Sequence, residues 1–296
     1  MSFLEKIKSF KWKRYINYIA VTLVMVIYTI LSFSGGLKAS GAYMLEKIAI
    51  AVVLAVSLSI VVGFLGELSL GHAGFMCVGA YIGGKVASLM DAGADSHLTL
   101  ILTIFIGGIA AAACGFVVGL PALRLKGDYL AIVTLAFGEI VRSIFQNTSK
   151  ESFGGALGLS TPRYDKEFMF IYAFLAVLLC LAVTQNIIRS KHGRAITAIR
   201  DNEIAAKATG INVTKYKLYA FMVSAFFAGV AGVLYSHSNF TIQPAQFSYN
   251  YSIEILVMVV LGGMGSINGS LIAAALITFL NNKLSTILTL QGRPLK

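Results

Sequence analysis

Long blocks of apolar residues, separated by short polar stretches, decide what this chain can fold into. A segment needs about 20 apolar residues to cross about 30 Å of hydrocarbon, and several blocks reach that length. Inside such blocks only helices satisfy every backbone N–H and C=O internally. The expected fold class is all-α integral membrane, a polytopic helical bundle of about eight or nine transmembrane segments. Only 12% of the 296 residues are charged, too few to cover a soluble domain of this size.

Spans are expected at 15–33, 48–65, 71–90, 99–120, 129–146, 168–188, 217–236 and 268–289. Residues 252–264 are apolar but short, a length at which re-entrant segments are common. One membrane domain is expected over 15–290, preceded by a basic segment at 1–14 and followed by a tail at 291–296. The start is basic and amphipathic (Lys6, Lys8, Lys11, Lys13, Arg14) and lacks a small-residue cleavage pattern. The first block is therefore expected to stay as a span. No internal repeat or low-complexity stretch stands out.

Lys and Arg set the orientation. A basic N-terminal segment belongs on the cytoplasmic side. Alternation then puts 121–128 inside, with Arg124 and Lys126, and 189–216 inside, with Arg189, Lys191, Arg194, Arg200, Lys207 and Lys215. Segments 91–98 and 237–251 fall outside and contain neither Lys nor Arg. The net charge of +11 is thus spread through polar connections as topology requires. A nucleic-acid partner, which needs a folded basic face, is not expected. Pro121, Pro162 and Pro244 are expected between spans, where a missing N–H costs nothing.

Small residues recur four apart at Gly79/Gly83, Gly115/Gly119 and Ala225/Gly229. In lipid such pairs let helix backbones approach closely, and helix packing is the expected role. Cys77, Cys114 and Cys180 lie far apart in apolar blocks and read as packing residues. The four histidines (His72, His97, His192, His237) fall in four segments without metal-ligand spacing, so no metal site is expected.

Catalytic readings are weak. The glycine-rich run from Gly262 to Gly269 lacks the Lys of a phosphate-binding loop, so ATP would have to be bound by another chain. Ser69 and His72 are three apart, a spacing that suits one helical face. A hydrolase would also need an orienting group and an oxyanion site, and neither is evident. A polar kink is the favoured reading there. Glu139 lies mid-span with Arg142 three residues on. Two readings stand for it, a self-neutralising pair that fixes helix rotation and a carboxylate facing a wet pathway. Glu254 is expected at the outer rim, and Lys85 is close enough to a span end to snorkel.

The polar segment 189–216 fits two short amphipathic helices. One covers about 193–200, with Ala195, Ile196 and Ile199 on one side. The other covers about 202–209, capped by Asp201 or Asn202 and closed by Gly210 in a left-handed turn. So ordered a loop suits docking into a groove on a cytoplasmic partner.

Three stretches carry a family resemblance. They are Gly63-Phe-Leu-Gly-Glu-Leu-Ser-Leu-Gly-His-Ala-Gly-Phe-Met-Cys-Val-Gly-Ala-Tyr81, Arg124-Leu-Lys-Gly-Asp-Tyr-Leu-Ala-Ile-Val-Thr-Leu-Ala-Phe-Gly-Glu-Ile-Val-Arg142, and the region from Gly193-Arg-Ala through Arg200-Asp-Asn-Glu-Ile-Ala-Ala-Lys-Ala-Thr-Gly210 to Gly262-Gly-Met-Gly-Ser266. With these the chain resembles the LivM-type permeases of branched-chain amino acid ABC transporters. The resemblance implies an importer subunit in the cell membrane, working by alternating access. It implies a second, LivH-like permease, two cytoplasmic ATPase subunits that hold ATP and Mg, and an extracytoplasmic amino-acid-binding protein. No cofactor is implied in this chain itself. The family's ATPase-docking role falls on Arg194, Arg200, Asp201, Asn202, Ala205, Ala206 and Gly210. Glu67, Ser69, His72 and Glu139 lie in family-like motifs and are candidates for the translocation pathway.

Relatives carry a further apolar segment after the position of Leu290, where this sequence has a short polar tail. Either 252–264 is re-entrant or the chain is shortened relative to the family. An ion-coupled secondary transporter using Glu139 and Glu67 is the first rival reading. The intramembrane hydrolase is the second.

Overall fold

A computed structural model describes residues 12–33, 39–90, 97–122, 125, 127–162, 166–239 and 241–290. Lys6, Lys8, Lys11, Arg124, Lys126 and the tail 291–296 lie outside the described residues, so the orientation argument keeps only its other basic groups.

All the apolar stretches read from the sequence are helical. They are α1 (Trp12–Phe33), α2 (Ala39–Ser59, continued by a π-helical turn at Ile60–Leu65), α3 (His72–Leu89), α4 (His97–Ala122) and α5 (Asp128–Asn147). After a one-turn α6 (Lys150–Phe153) follow α7 (Lys166–Arg189), α8 (Lys191–Asp201), α9 (Glu203–Ala208), α10 (Val213–Ser238), α11 (Tyr249–Leu261) and α12 (Ile267–Leu290). Among the described residues four stretches, Ser40–Leu65, His97–Ala122, Met169–Arg189 and Val213–Ser238, are long and apolar enough to cross a membrane. One two-residue pairing departs from all-α: β1 (Leu159–Ser160) runs antiparallel to β2 (Thr241–Ile242), with Leu159 opposite Ile242.

Two boundaries differ from expectation. The helix expected from residue 48 starts at Ala39. Hydropathy fails at Glu46 and Lys47, but Glu46 is buried and accepts a hydrogen bond from the Ser238 hydroxyl, so its charge is accommodated. Pro121, expected between spans, lies in the last turn of α4, one residue before that helix ends. With no N–H at Pro121 the bond back to the Val117 carbonyl is missing, and the helix ends one residue later.

The centre of the bundle is α2, whose apolar window is 94% buried, whereas that of α4 is only 28% buried. Burial along α2 needs no polar face, because neighbouring helices cover it on all sides. Beside it, α3, α4 and α10 meet at three glycines. A Cβ on Gly79 would strike the Gly229 backbone. One on Gly229 would lie 2.7 Å from the Gly107 carbonyl oxygen, and one on Gly107 2.9 Å from that of Gly79. The packing role expected of Gly79 and Gly229 is met, and Gly107 joins them. Cys77 and Cys180 are buried and Cys114 is half-buried, as packing residues should be.

The two long central helices end in the same manner. After α2 the chain runs irregularly through 66–71 before α3 begins, and after α10 it passes through β2 and a 3-10 turn (Pro244–Phe247) before α11 begins. The first turns of the two shorter helices touch, the Ala73 amide donating to Ser252 Oγ at 3.1 Å.

Candidate functional site

The site is built on the break below α2. In the π-turn each backbone donor reaches five residues back, and the last bond runs from the Gly66 amide to the Val61 carbonyl. Such turns are rare in helices and are frequent at functional sites. Gly66 closes it with φ +79°, a left-handed conformation that glycine adopts at no steric cost. A Cβ there would also lie 2.6 Å from Arg200 Cγ, so two independent constraints exclude a side chain.

The helices of 189–216 fold back under this break. Ser190 caps α8 by accepting from the His192 amide at 3.1 Å and the Gly193 amide at 3.4 Å. Asn202 caps α9 by accepting from the Ala205 amide at 3.0 Å, and Gly210, at φ +86°, lies just beyond it. The expected pair of helices and the Asn202 and Gly210 terminators are all present. Their apolar residues Ile196, Ile199 and Ala206 are buried with Ile60, Phe64, Leu65 and Ala220. That face therefore belongs to the chain's own core. Ala206, grouped above with the docking residues, is only 4% exposed and has no surface to offer a partner. Arg194, Arg200, Asp201, Asn202, Ala205 and Gly210 remain exposed, together with Ile204, whose side chain is 77% exposed.

Two charged links tie this loop to the break. Arg200 Nη1 donates to the Gly63 carbonyl at 3.1 Å, while its Nε and Nη2 hold Asp201 Oδ1 at 3.2 and 3.1 Å. Lys217, near the start of α10, is 1% exposed. Its ammonium pairs with Glu67, in the irregular stretch after the π-turn, and with Glu203 Oε2 of α9 at 3.1 Å. A buried ammonium is costly unless paired and hydrogen-bonded, and here two carboxylates surround it. Sequence reasoning missed Lys217 and Glu203. The only available signal was a lysine four residues into an apolar helix, where a charge needs a partner.

The other pathway candidates are placed separately. Ser69 lies in the irregular stretch rather than on a helical face with His72, because the helix begins only at His72. The His72 ring instead hydrogen-bonds Ser57 Oγ of α2 at 2.9 Å, which leaves Ser69 and His72 unsuited to act as nucleophile and base. Glu139 binds Arg142 Nε at 2.8 Å through one oxygen and accepts the Tyr249 amide at 3.1 Å through the other. The ion pair with Arg142 is therefore present, and the carboxylate also meets the positive end of α11. Lys85 Nζ donates to the Glu151 carbonyl at 3.2 Å. Among the described residues no cluster of His, Cys, Asp or Glu has the geometry of a metal site.

A glycine-rich turn completes the arrangement. A Cβ on Gly63 would lie 2.6 Å from the Gly265 amide nitrogen, so the turn after α11 stacks on the break itself. The segments that meet here, 63–67, 200–203 and 262–266, are parts of one sequence family. Residues 41–293 match the family model for the branched-chain amino acid transport system permease component. The chain belongs to this family. It is 38% identical to the high-affinity branched-chain amino acid transport permease LivM of Escherichia coli over 258 residues, covering 76% of this chain and 59% of that protein. Against LivM of Salmonella typhimurium the identity is 37% with the same coverage. Against LivH of Escherichia coli it is 26% over 76% of this chain and 78% of that protein. The chain spans about three fifths of the length of the LivM relatives it matches. No solved structure matches it. As a permease component with long apolar helices, it is a membrane protein.

Proposed function

We propose that this chain is the LivM-type permease subunit of an ATP-binding-cassette importer for branched-chain amino acids. The match of residues 41–293 to the permease component family carries the reading. In it, residues 15–290 form one membrane domain of eight or nine spans in the cell membrane, with the N-terminus and the 189–216 loop cytoplasmic. A LivH-like sister permease completes the pore, and an extracytoplasmic binding protein delivers leucine, isoleucine or valine. ATP and Mg are held by two partner ATPases, and this chain supplies no catalytic group.

Arg194, Asp201, Asn202, Ala205 and Gly210 form the docking surface, and Ile204 is the apolar anchor among them. Movement of α8 and α9 reaches the membrane through Arg200, which holds the Gly63 carbonyl, and through Glu203 and Lys217, which hold Glu67. The π-turn and Gly66 are the pliable elements that such movement bends. Alternating access requires two states whose affinity for the docked ATPases differs, and this linkage supplies the differential contact. Short α11, about 20 Å long at 1.5 Å per residue, is read as the lower half of a broken span rather than a full crossing.

Reconstitution tests the reading. Proteoliposomes holding both permeases, the ATPases and the binding protein are expected to accumulate leucine only with ATP and Mg. Uptake at full rate by this chain alone on an ion gradient would overturn it.

A further inference from the structure

At the end of the bundle away from α8 and α9, three helices turn stripes of mixed polarity, and a fourth a single tyrosine, toward one cavity of about 230 Å³. The stripes follow helical spacing. Lys47, Ile50 and Ala51 come from α2, Tyr251, Glu254 and Met258 from α11, Thr278, Asn281 and Asn282 from α12, and Tyr235 from α10. Lys47 lies within the most buried of the spanning helices and Glu254 near the start of another, places where ionisable groups are rare and functional by default. The two charges do not pair with each other. Lys47 Nζ stands 4.5 Å from the centre of the Tyr43 ring, and Glu254 Oε1 accepts from Asn281 at 2.6 Å. The Thr278 hydroxyl is buried without a hydrogen-bond partner. A cationic group and an anionic group thus border one space, beside the apolar Ile50, Ala51 and Met258. At roughly 30 Å³ per water the space equals about seven or eight waters, the scale of one small solute.

We propose that this cavity is a binding site, within this chain, for a free aliphatic amino acid in its zwitterionic form. The proposal rests on the importer reading above and names where the solute sits. Lys47 receives the carboxylate. Glu254, already oriented by Asn281, receives the ammonium. Ile50, Ala51 and Met258 take the hydrocarbon side chain. A site that holds charges at both ends discriminates against analogues lacking either, because a partly desolvated charge is then left unpaired. A phospholipid headgroup with an ammonium and a phosphate offers related chemistry, so the test separates the two sources.

The test uses the complete importer reconstituted in phosphatidylcholine vesicles, with and without phosphatidylethanolamine. Labelled leucine binding to the permease pair and leucine uptake are both measured. Lys47→Met and Glu254→Gln are each expected to weaken leucine binding and raise the KM for uptake by about tenfold or more. Lys47→Arg and Glu254→Asp should recover part of the loss, which separates a binding defect from misfolding. Isopentylamine and 4-methylpentanoate should compete at least tenfold more weakly than leucine. Equal leucine binding in both vesicle types supports the amino acid. Unaltered binding and KM in both neutralising variants, while the native complex takes up leucine, would overturn the site alone. So would loss of bound phosphatidylethanolamine in Glu254→Gln with leucine binding unchanged, which assigns the cavity to lipid. Failure of the native complex to take up leucine would instead overturn the importer reading, and this site with it.

Discussion

The two ends of the bundle treat a lysine inside a helix in opposite ways. Lys217, under the π-turn, lies between Glu67 and Glu203 and is almost wholly covered. Lys47, at the other end, borders a cavity and leans on the Tyr43 ring, while Glu254 across the space is held by Asn281. Closing every charge makes the first region a rigid joint. Leaving opposite charges apart across a space makes the second a place where a ligand can complete the pairing. The same residue type therefore serves linkage in one region and recognition in the other, and the surrounding carboxylates decide which.

The largest effect expected from this contrast is at Lys217. Lys217→Met removes the cation between Glu67 and Glu203, and breaking such a buried pair typically costs about 3–5 kcal/mol. Thermal unfolding of the purified permease should show a large drop, partly recovered in Lys217→Met/Glu67→Gln. A melting curve like that of the native chain would mean that the joint is not structural. Next is Arg200→Lys. An ammonium cannot hold Asp201 through two donors while a third reaches the Gly63 carbonyl, and the change should cost about 1–3 kcal/mol. Its sharper readout is coupling: ATP hydrolysed per leucine imported should rise. The charge exchange Arg200→Glu with Asp201→Lys should go further and impair co-purification of the ATPases. A normal pulldown would count against the docking surface.

Asn202→Ala removes the cap of α9 and should cost about 1 kcal/mol, read as a modest fall in melting temperature. The smallest stability effect is expected at the opposite lysine. Lys47→Met removes a cation that pairs with no carboxylate among the described residues and should shift unfolding by less than about 0.5 kcal/mol, while leucine uptake falls. A stability loss matching that of Lys217→Met would erase the contrast between the two ends.

The comparison also separates what was legible from what was not. Helix positions followed from hydropathy because each span must satisfy its own backbone in lipid, a constraint that acts within one segment. The α8–α9 pair was legible for a similar reason: caps at Asn202 and Gly210 act within a few residues of themselves. Gly79 and Gly229 were flagged by spacing, but not that they meet each other with Gly107 between them. Ala206, which the resemblance grouped with the docking residues, is buried, since a matching motif does not say which way each side chain faces.

The sequence by itself determined the membrane class, the helical segments and the membership of the permease family, all of which rest on local composition and local motifs. Only the tertiary structure decided that Glu67, Glu203 and Lys217 form one ionic joint, that Arg200 grips the Gly63 carbonyl, and that His72 answers Ser57 instead of Ser69. Glu67 and Lys217 are 150 positions apart. Coulombic pairing depends on distance in space, and only the packing of α2, α9 and α10 brings those charges together.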